Sequence, residues 1–232
     1  VTTLDTPPTE TPHYHGHRKR LRERFLANSD ALPDYELLEL LLFASHPRGD
    51  VKPLAKSLLK QFGSLRGVLT ATPERLSEVA SVGEATISAL KVVEAAAQRL
   101  LRAEAAEKPV LQNWKALLDY CQAAMGHKPR EEFRILFLNH KNRLLADEVQ
   151  QTGTVNHTPV YPREVVKRAL ELSASAIILA HNHPSGDCTP SQADIDITRK
   201  IGEAATAVGI QLHDHLVIAA DAHFSFRAHG ML

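Results

Sequence analysis

"SAIILAHNHPSGDCTPSQADIDITRKIGEAATAVGIQLHDHLVIAA" (residues 175–220) decides the fold. It opens on a short apolar run, Ala176-Ile177-Ile178-Leu179, with the look of a buried strand. "PSGDC" reverses the chain, with Pro and Gly supplying the backbone angles of a turn. "TPSQ" then starts a helix. Thr189 is the expected N-cap, Pro190 takes the first helical position and Gln192 closes a capping box. The helix runs to Gly209, and "IQLHDHLVIAA" reads as a strand again.

Reading upstream, "PREVVKRALELSA" is an amphipathic helix with Pro162 at its first position. "FRILFLN" and "RLLADEVQQTGTV" are strand-like and joined by the tight polar turn "HKN". "NWKALLDYCQAAMG" is a further helix. Strands alternating with helices argue for an α/β domain with a mixed sheet and flanking helices. From His17 to about Ala106 the pattern is helical throughout. "DYELLELLLFAS" has Asp34 as candidate cap, and "DVKPLAKSLLKQFG" has Asp50 as cap and Gly63 just past its end. "TPERLSEVA" has Thr72 as cap, and "EATISALKVVEAAAQRLLRAEAAE" is a long Ala-rich helix. "EKPVLQ" around Pro109 marks a boundary. The expected organisation is a disordered Thr/Pro-rich lead-in (1–16), an all-α domain (17–108) and an α/β domain (109–232).

Composition excludes several classes. The 232 residues carry 27 basic and 27 acidic groups, so net charge demands no nucleic-acid or anionic-membrane partner. The basic run "HRKRLRERF" (17–25) is a local exception. The 2 cysteines, Cys121 and Cys188, are too few for a disulfide framework or a Cys-rich zinc site. No apolar run reaches the roughly 18 to 20 residues of a membrane span. No secretory apolar segment opens the sequence, and a reducing, cytoplasmic setting is expected. The 13 histidines hint at metal chemistry.

The opening stretch is where that chemistry can sit. Residues i and i+2 of a strand share a face, so His181 and His183 can hold one ion. Residues three apart share a helix face, so Ser191 and Asp194 can look toward the same point. Two His and one carboxylate leave a tetrahedral zinc with an open position, the stoichiometry of a catalytic site. Zinc lowers the pKa of its water to about 7. A hydrolase then needs a carboxylate to carry protons and an oxyanion donor, and Ser191 suits the second role. On spacing alone the same residues also read as a decorated turn, with Asp194 and Asp196 complementing a helix dipole.

His181-x-His183-Pro184, followed by Ser191 and Asp194, resembles the JAMM (MPN+) metalloprotease signature, H-x-H-P-x6-S-x2-D, without a gap. With "TGTVNHTPVYPREVVKRALE" and "LHDHLVI" it resembles the bacterial RadC family, long labelled DNA repair proteins, from about residue 17 to the end. The resemblance implies a cytidine-deaminase-like layering of the α/β domain. It implies zinc held by His181, His183 and Asp194, with Ser191 stabilising the tetrahedral intermediate and a Glu ahead of an early strand as acid/base. It also implies cleavage of a peptide or isopeptide bond in an unidentified protein or peptide. "REEFRILFLN" offers Glu131 and Glu132 for that Glu; the two point to opposite faces, and Glu131 fits the family's E-x-F. Glu148 is a weaker candidate. Asn182 stands where JAMM peptidases usually carry Ser or Thr, which implies a different preferred substrate.

The second His-x-His, His213 and His215 around Asp214, is expected beside the site in hydrogen-bonding roles. Asp187 reads as a turn residue, and His157 as a surface histidine within reach of the site. H-E-x-x-H is absent, as is the deaminase pairing of H-x-E with P-C-x-x-C. "FGSLRGVLTATPERLSEVASVGEATISALK" resembles a helix-hairpin-helix module, whose Gly-h-Gly hairpin offers backbone N–H groups to a DNA phosphate. Here the hairpin reads Ser81-Val82-Gly83. The leading expectation is a zinc metallopeptidase-like hydrolase. The alternatives are a DNA-binding or repair accessory that uses the zinc fold as scaffold, and a metal-dependent nuclease.

Overall fold

A computed structural model describes residues 16–153 and 160–232. The Thr/Pro-rich lead-in, Gly16 excepted, lies outside the described residues, as does His157. The chain divides into two compact units, Val1–Ala95 and Ala96–Leu232. Among the described residues no helix is long and apolar enough to cross a membrane.

The first unit is helical. Its elements are α1 (His17–Ala27), α2 (Asp34–Ser45), α3 (Lys52–Phe62), α4 (Leu65–Thr70), α5 (Pro73–Ser77) and the start of α6 (Glu84–Glu107). Leu54, Ala55, Leu58, Leu59 and Phe62 recur at helical spacing and turn one side of α3 into the core. Gly63 ends that helix at φ 81°, a left-handed angle that glycine adopts without a Cβ clash. Asp50 is not the N-cap of α3; Val51 is, and Asp50 instead accepts the Lys52 N–H from one residue further out. Asp34 likewise is the first helical residue of α2, with Pro33 before it. Thr72 caps α5 as its sequence suggests.

Much of the basic run of α1 is tied into this unit. His17 Nε2 lies 2.8 Å from the buried Glu39 carboxylate. Arg24 pairs with the buried Glu36 at 2.9 Å. Arg18 donates to the carbonyls of His46 and Gly49 and lies over the Phe43 ring.

The division between units falls inside α6, because Leu101 and Ala105 of its second half pack with Val110 and Leu117 of the second unit. That unit continues through α7 (Trp114–Met125), β1 (Glu131–Leu138), β2 (Leu144–Gly153), α8 (Pro162–Glu171), β3 (Ala176–Asn182), α9 (Gln192–Thr206), β4 (Gln211–Ile218) and β5 (His223–Ser225). The strands form one mixed sheet in the order β2-β1-β3-β4-β5. β3 and β4 are parallel, joined through α9, and the other pairs are antiparallel. Alternation along β1 sorts the layers. Phe133, Ile135 and Phe137 pack with residues of α8 and α9, whereas Leu136 and Leu138 pack with residues of α7. β3 is buried along its whole length, as a central strand covered on both faces must be. Its C-terminal end delivers His181 to the rim of the sheet, on the α9 side.

Candidate metal centre

β3 places His181 on the face of Ile177 and Leu179. The strand ends at Asn182, but the His183 N–H donates to Ile218 O at 2.9 Å, so pairing with β4 continues one residue further. Both histidines therefore keep the strand alternation. Asn182, between them, points to the other face and is fully buried. Its Oδ1 accepts the Glu132 N–H at 2.8 Å, and its Nδ2 donates to the carbonyls of Lys128 and Arg130. The side chain that departs from the JAMM pattern thus ties the entry of β1 to the histidine strand, and it does not face the site.

The start of α9 differs from its sequence reading. The N-cap is Ser191, with Asp194 three residues on, rather than Thr189 with Gln192. Ser191 Oγ accepts the Asp194 N–H at 3.2 Å, and Asp194 Oδ2 accepts from the Ser191 N–H at 2.7 Å and its hydroxyl at 2.6 Å. Carboxylate closes the box better than the Gln192 amide because the acceptor is charged and lies in the first turn of the helix dipole.

The turn carries this helix start back onto the strand end. One ligand atom from each of His181, His183 and Asp194 lies within 4.8 Å of the others. His181 Nε2 is 3.0 Å from His183 Nε2 and 3.3 Å from Asp194 Oδ1, and His183 Nε2 is 3.6 Å from Asp194 Oδ2. His183 Nδ1 lies 2.7 Å from the Asp187 carbonyl, which can only accept, so Nδ1 carries the hydrogen. That leaves the neutral ring's Nε2 free to ligate, the orientation metal-bound histidines take. Asp187 is also a turn residue, since its carboxylate accepts the Thr189 N–H. Two imidazole nitrogens and a carboxylate oxygen converge there, with His183 and Asp194 half-buried, and could hold a divalent metal ion with a position left open.

The electrostatics follow from this crowding. Burial pushes the Asp194 carboxyl up, but the facing His181 and His183 rings and the Ser191 hydrogen bond outweigh it and hold the group well below the usual carboxylate range. His183 is raised, first by Asp194, then by the Asp187 carbonyl, with the Glu131 charge contributing.

The candidate acid/base residues separate by face and by partner. β1 pairs Phe133 with His181, so Glu131, two residues earlier, lies on the histidine face and toward His183. Glu132 lies on the opposite face, 4% exposed, paired with Arg134 at 2.7 Å and with Lys128. Glu148 is held by Arg168 of α8 through contacts of 2.6–3.0 Å.

The second His-x-His does not act as a pair. The β3–β4 register shifts between Ile177 and Ile178, leaving His213 as the extra residue of a bulge. His213 Nε2 lies 2.7 Å from Asn142 Oδ1. His215, on the Leu179 side, lies against His181, with 2.8 Å between His215 Nε2 and His181 Nδ1. Burial holds His215 well below the ordinary imidazole range. Asp214 accepts from Ser225 and from the backbone of His215 and Arg227. Thr198 had no place in the sequence reading, yet it bridges Asp194 and His215. Its position four residues after Asp194, on the same face of α9, was the available signal.

The family described as a RadC-like JAB domain matches residues 111–231, and the family described as UPF0758 N-terminal matches residues 15–88. The chain is similar to a UPF0758 protein from Rhodobacter capsulatus, 64% identical over 213 residues, which cover 91% of this chain and 100% of that protein. It is also similar to a UPF0758 protein from Ruegeria pomeroyi, 60% identical over 217 residues, covering 93% of this chain and 97% of the relative. The chain belongs to the RadC family.

Proposed function

We propose that this member of the RadC family is a zinc-dependent hydrolase, a metallopeptidase acting on a peptide or isopeptide carbonyl. The observation that carries the reading is the convergence of His181, His183 and Asp194 beside Glu131 at one end of the sheet. A zinc ion held by that set supplies Lewis-acid polarisation and a water that is nucleophilic near neutral pH. Glu131 serves as the proton carrier, taking a proton from the attacking water and returning it to the leaving amine. It suits the task because Glu132 stands on the opposite face, while Glu148, opposite Ile135 on the histidine face, is held by Arg168 of α8. Ser191 donates to the developing oxyanion. Its hydroxyl rests on Asp194 Oδ2, and the residue is exposed, so the oxyanion role needs a rotation of the hydroxyl toward substrate.

The helical unit does not favour the DNA-accessory reading. Ser81 keeps the left-handed angle, φ 69°, that the hairpin's first glycine would supply, but Glu84 places a carboxylate in the first turn of α6, where a phosphate would dock. His17, Arg18 and Arg24 are engaged within the unit.

The test is elemental analysis of the purified chain and of His181→Ala, with about one zinc per chain expected in the first and none in the second. Incubation of the zinc-loaded chain with a mixed peptide library should create new termini that Glu131→Gln does not create. Intact wild type that takes up no zinc at neutral pH overturns the reading. DNA strand cleavage that Glu131→Ala abolishes would replace it with a nuclease. Tight DNA binding that survives metal removal, with no hydrolysis, would replace it with an accessory protein.

A further inference from the structure

The geometry points to a buried, one-way hydrogen-bond relay, His181 to His215 to Thr198 to the Asp194 carbonyl, that fixes His181 in the tautomer with a bare Nε2. Thr198 and His215 are then positioning residues for the metal. The inference deepens the metal-site reading above and rests on it for its purpose, though not for its geometry.

The direction of each link follows from its neighbour. The Asp194 carbonyl can only accept, and Thr198 Oγ1 lies 2.5 Å from it, so the single hydroxyl hydrogen points there. The same oxygen lies 2.5 Å from His215 Nδ1. With its hydrogen committed, Thr198 Oγ1 must accept, and His215 Nδ1 must carry a hydrogen. His215 is fully buried, edge-on to Phe133 and stacked on Phe226, surroundings that disfavour a charged ring. A neutral ring with hydrogen on Nδ1 has a bare Nε2. That Nε2 is 2.8 Å from His181 Nδ1, which must therefore donate. In a neutral His181 ring, the form that can ligate a metal, that leaves Nε2 without a hydrogen, facing His183 and Asp194.

The relay starts on one proposed ligand and ends on the main chain of another. It therefore sets both the tautomer of His181 and the seat of the α9 turn that carries Asp194. It is sealed from water, since Thr198 is 2% exposed and His215 is 0% exposed. The need is chemical. Free neutral histidine favours hydrogen on Nε2, and that tautomer would aim a hydrogen at the metal. His183 reaches the same end with one bond, from Nδ1 to the Asp187 carbonyl. His181, deeper in the sheet, meets a second imidazole at its Nδ1.

The deciding experiment is side-chain 15N NMR of the full-length, metal-free chain near pH 8, above the ordinary imidazole pKa of about 6.5. His181 and His215 should both carry hydrogen on Nδ1. Thr198→Val should remove that preference at His215 and weaken zinc binding about 10- to 100-fold in chelator competition. Thr198→Ser, which keeps the hydroxyl, should restore both. Hydrogen on Nε2 of either ring in the wild type overturns the relay, and that measurement does not depend on any variant folding. A Thr198→Val chain with wild-type tautomers and wild-type zinc affinity overturns it as well. Wild type that shows both tautomers but binds no zinc would leave the relay standing and remove the metal-site reading, so the two fail separately.

Discussion

Two neighbouring glutamates, Glu131 and Glu132, open onto opposite faces of the same sheet and onto clusters of opposite completeness. On the Glu132 face, two carboxylates meet Arg134 and Lys128, with Arg102 4.0 Å from Asp147. Arg134 pairs with Glu132 at 2.7 Å and with Asp147 at 2.7 Å, Lys128 pairs with Glu132, and Tyr120 donates to Asp147. On the Glu131 face, Asp194 meets two histidines whose Nε2 atoms face each other across 3.0 Å. The first cluster is closed by charges from the chain itself. The second turns two imidazole nitrogens and a carboxylate oxygen toward one point. A buried polar cluster that balances internally holds a fold together, whereas converging ligand atoms offer a place for a cation to bind.

The sharpest way to break this contrast is Arg134→Met. It would leave Glu132 and Asp147 buried without their main partner and should lower the unfolding free energy by about 3–5 kcal/mol. Urea denaturation checks this, and the folded variant should still load zinc. Glu132→Gln keeps the backbone bond to Asn182 but strands the cations and should lower stability by about 1–3 kcal/mol, with zinc content unchanged. Ser191→Ala removes the α9 cap and should cost about 1 kcal/mol in the same assay. Glu131→Gln should move stability by no more than about 0.5 kcal/mol, keep zinc, and abolish any peptide cleavage seen with wild type. If Glu131 and Glu132 exchanged these outcomes, the assignment of faces would be wrong.

The thiols offer the mildest probe of the same contrast. Cys121 of α7 is buried on the Glu132 side, and burial pushes its thiol up to about 12, with the Asp147 charge adding to the shift. Cys188 is partly exposed in the loop between His183 and Ser191. A thiol reagent near pH 8 should modify Cys188 in the native chain and reach Cys121 only in denaturant. Rapid native labelling of Cys121 would show that the closed face is looser than its packing implies.

Much of the α/β unit could be read along the chain. Pro162 opens α8, the apolar run of β3 is buried throughout, and Gly209 at φ 77° follows α9. The cap of α9 lies two residues beyond the expected Thr189 because "TPSQ" and "SQAD" both satisfy the same local rule. Only the contacts of Asp194 with Ser191 choose between them. The long helix α6 read as one element, as it is. Its sharing between two units was hidden because an Ala-rich helix shows no change of texture where its packing partners change.

Sequence by itself determined the positions of the four candidate residues at the end of β3 and the start of α9. His181 and His183 follow the strand period, and Ser191 and Asp194 follow the helix period, both local properties of the backbone. Three matters waited for tertiary structure. The face of Glu131 depended on the pairing of Phe133 with His181, strands more than forty residues apart. The parting of His213 from His215 depended on a bulge against β3, which resets the alternation without leaving a mark in "LHDH". The role of Thr198 depended on α9 folding back over β4. Period is set by each residue's own neighbours along the chain, whereas register, bulges and helix docking are set by surfaces that meet only when the chain is folded.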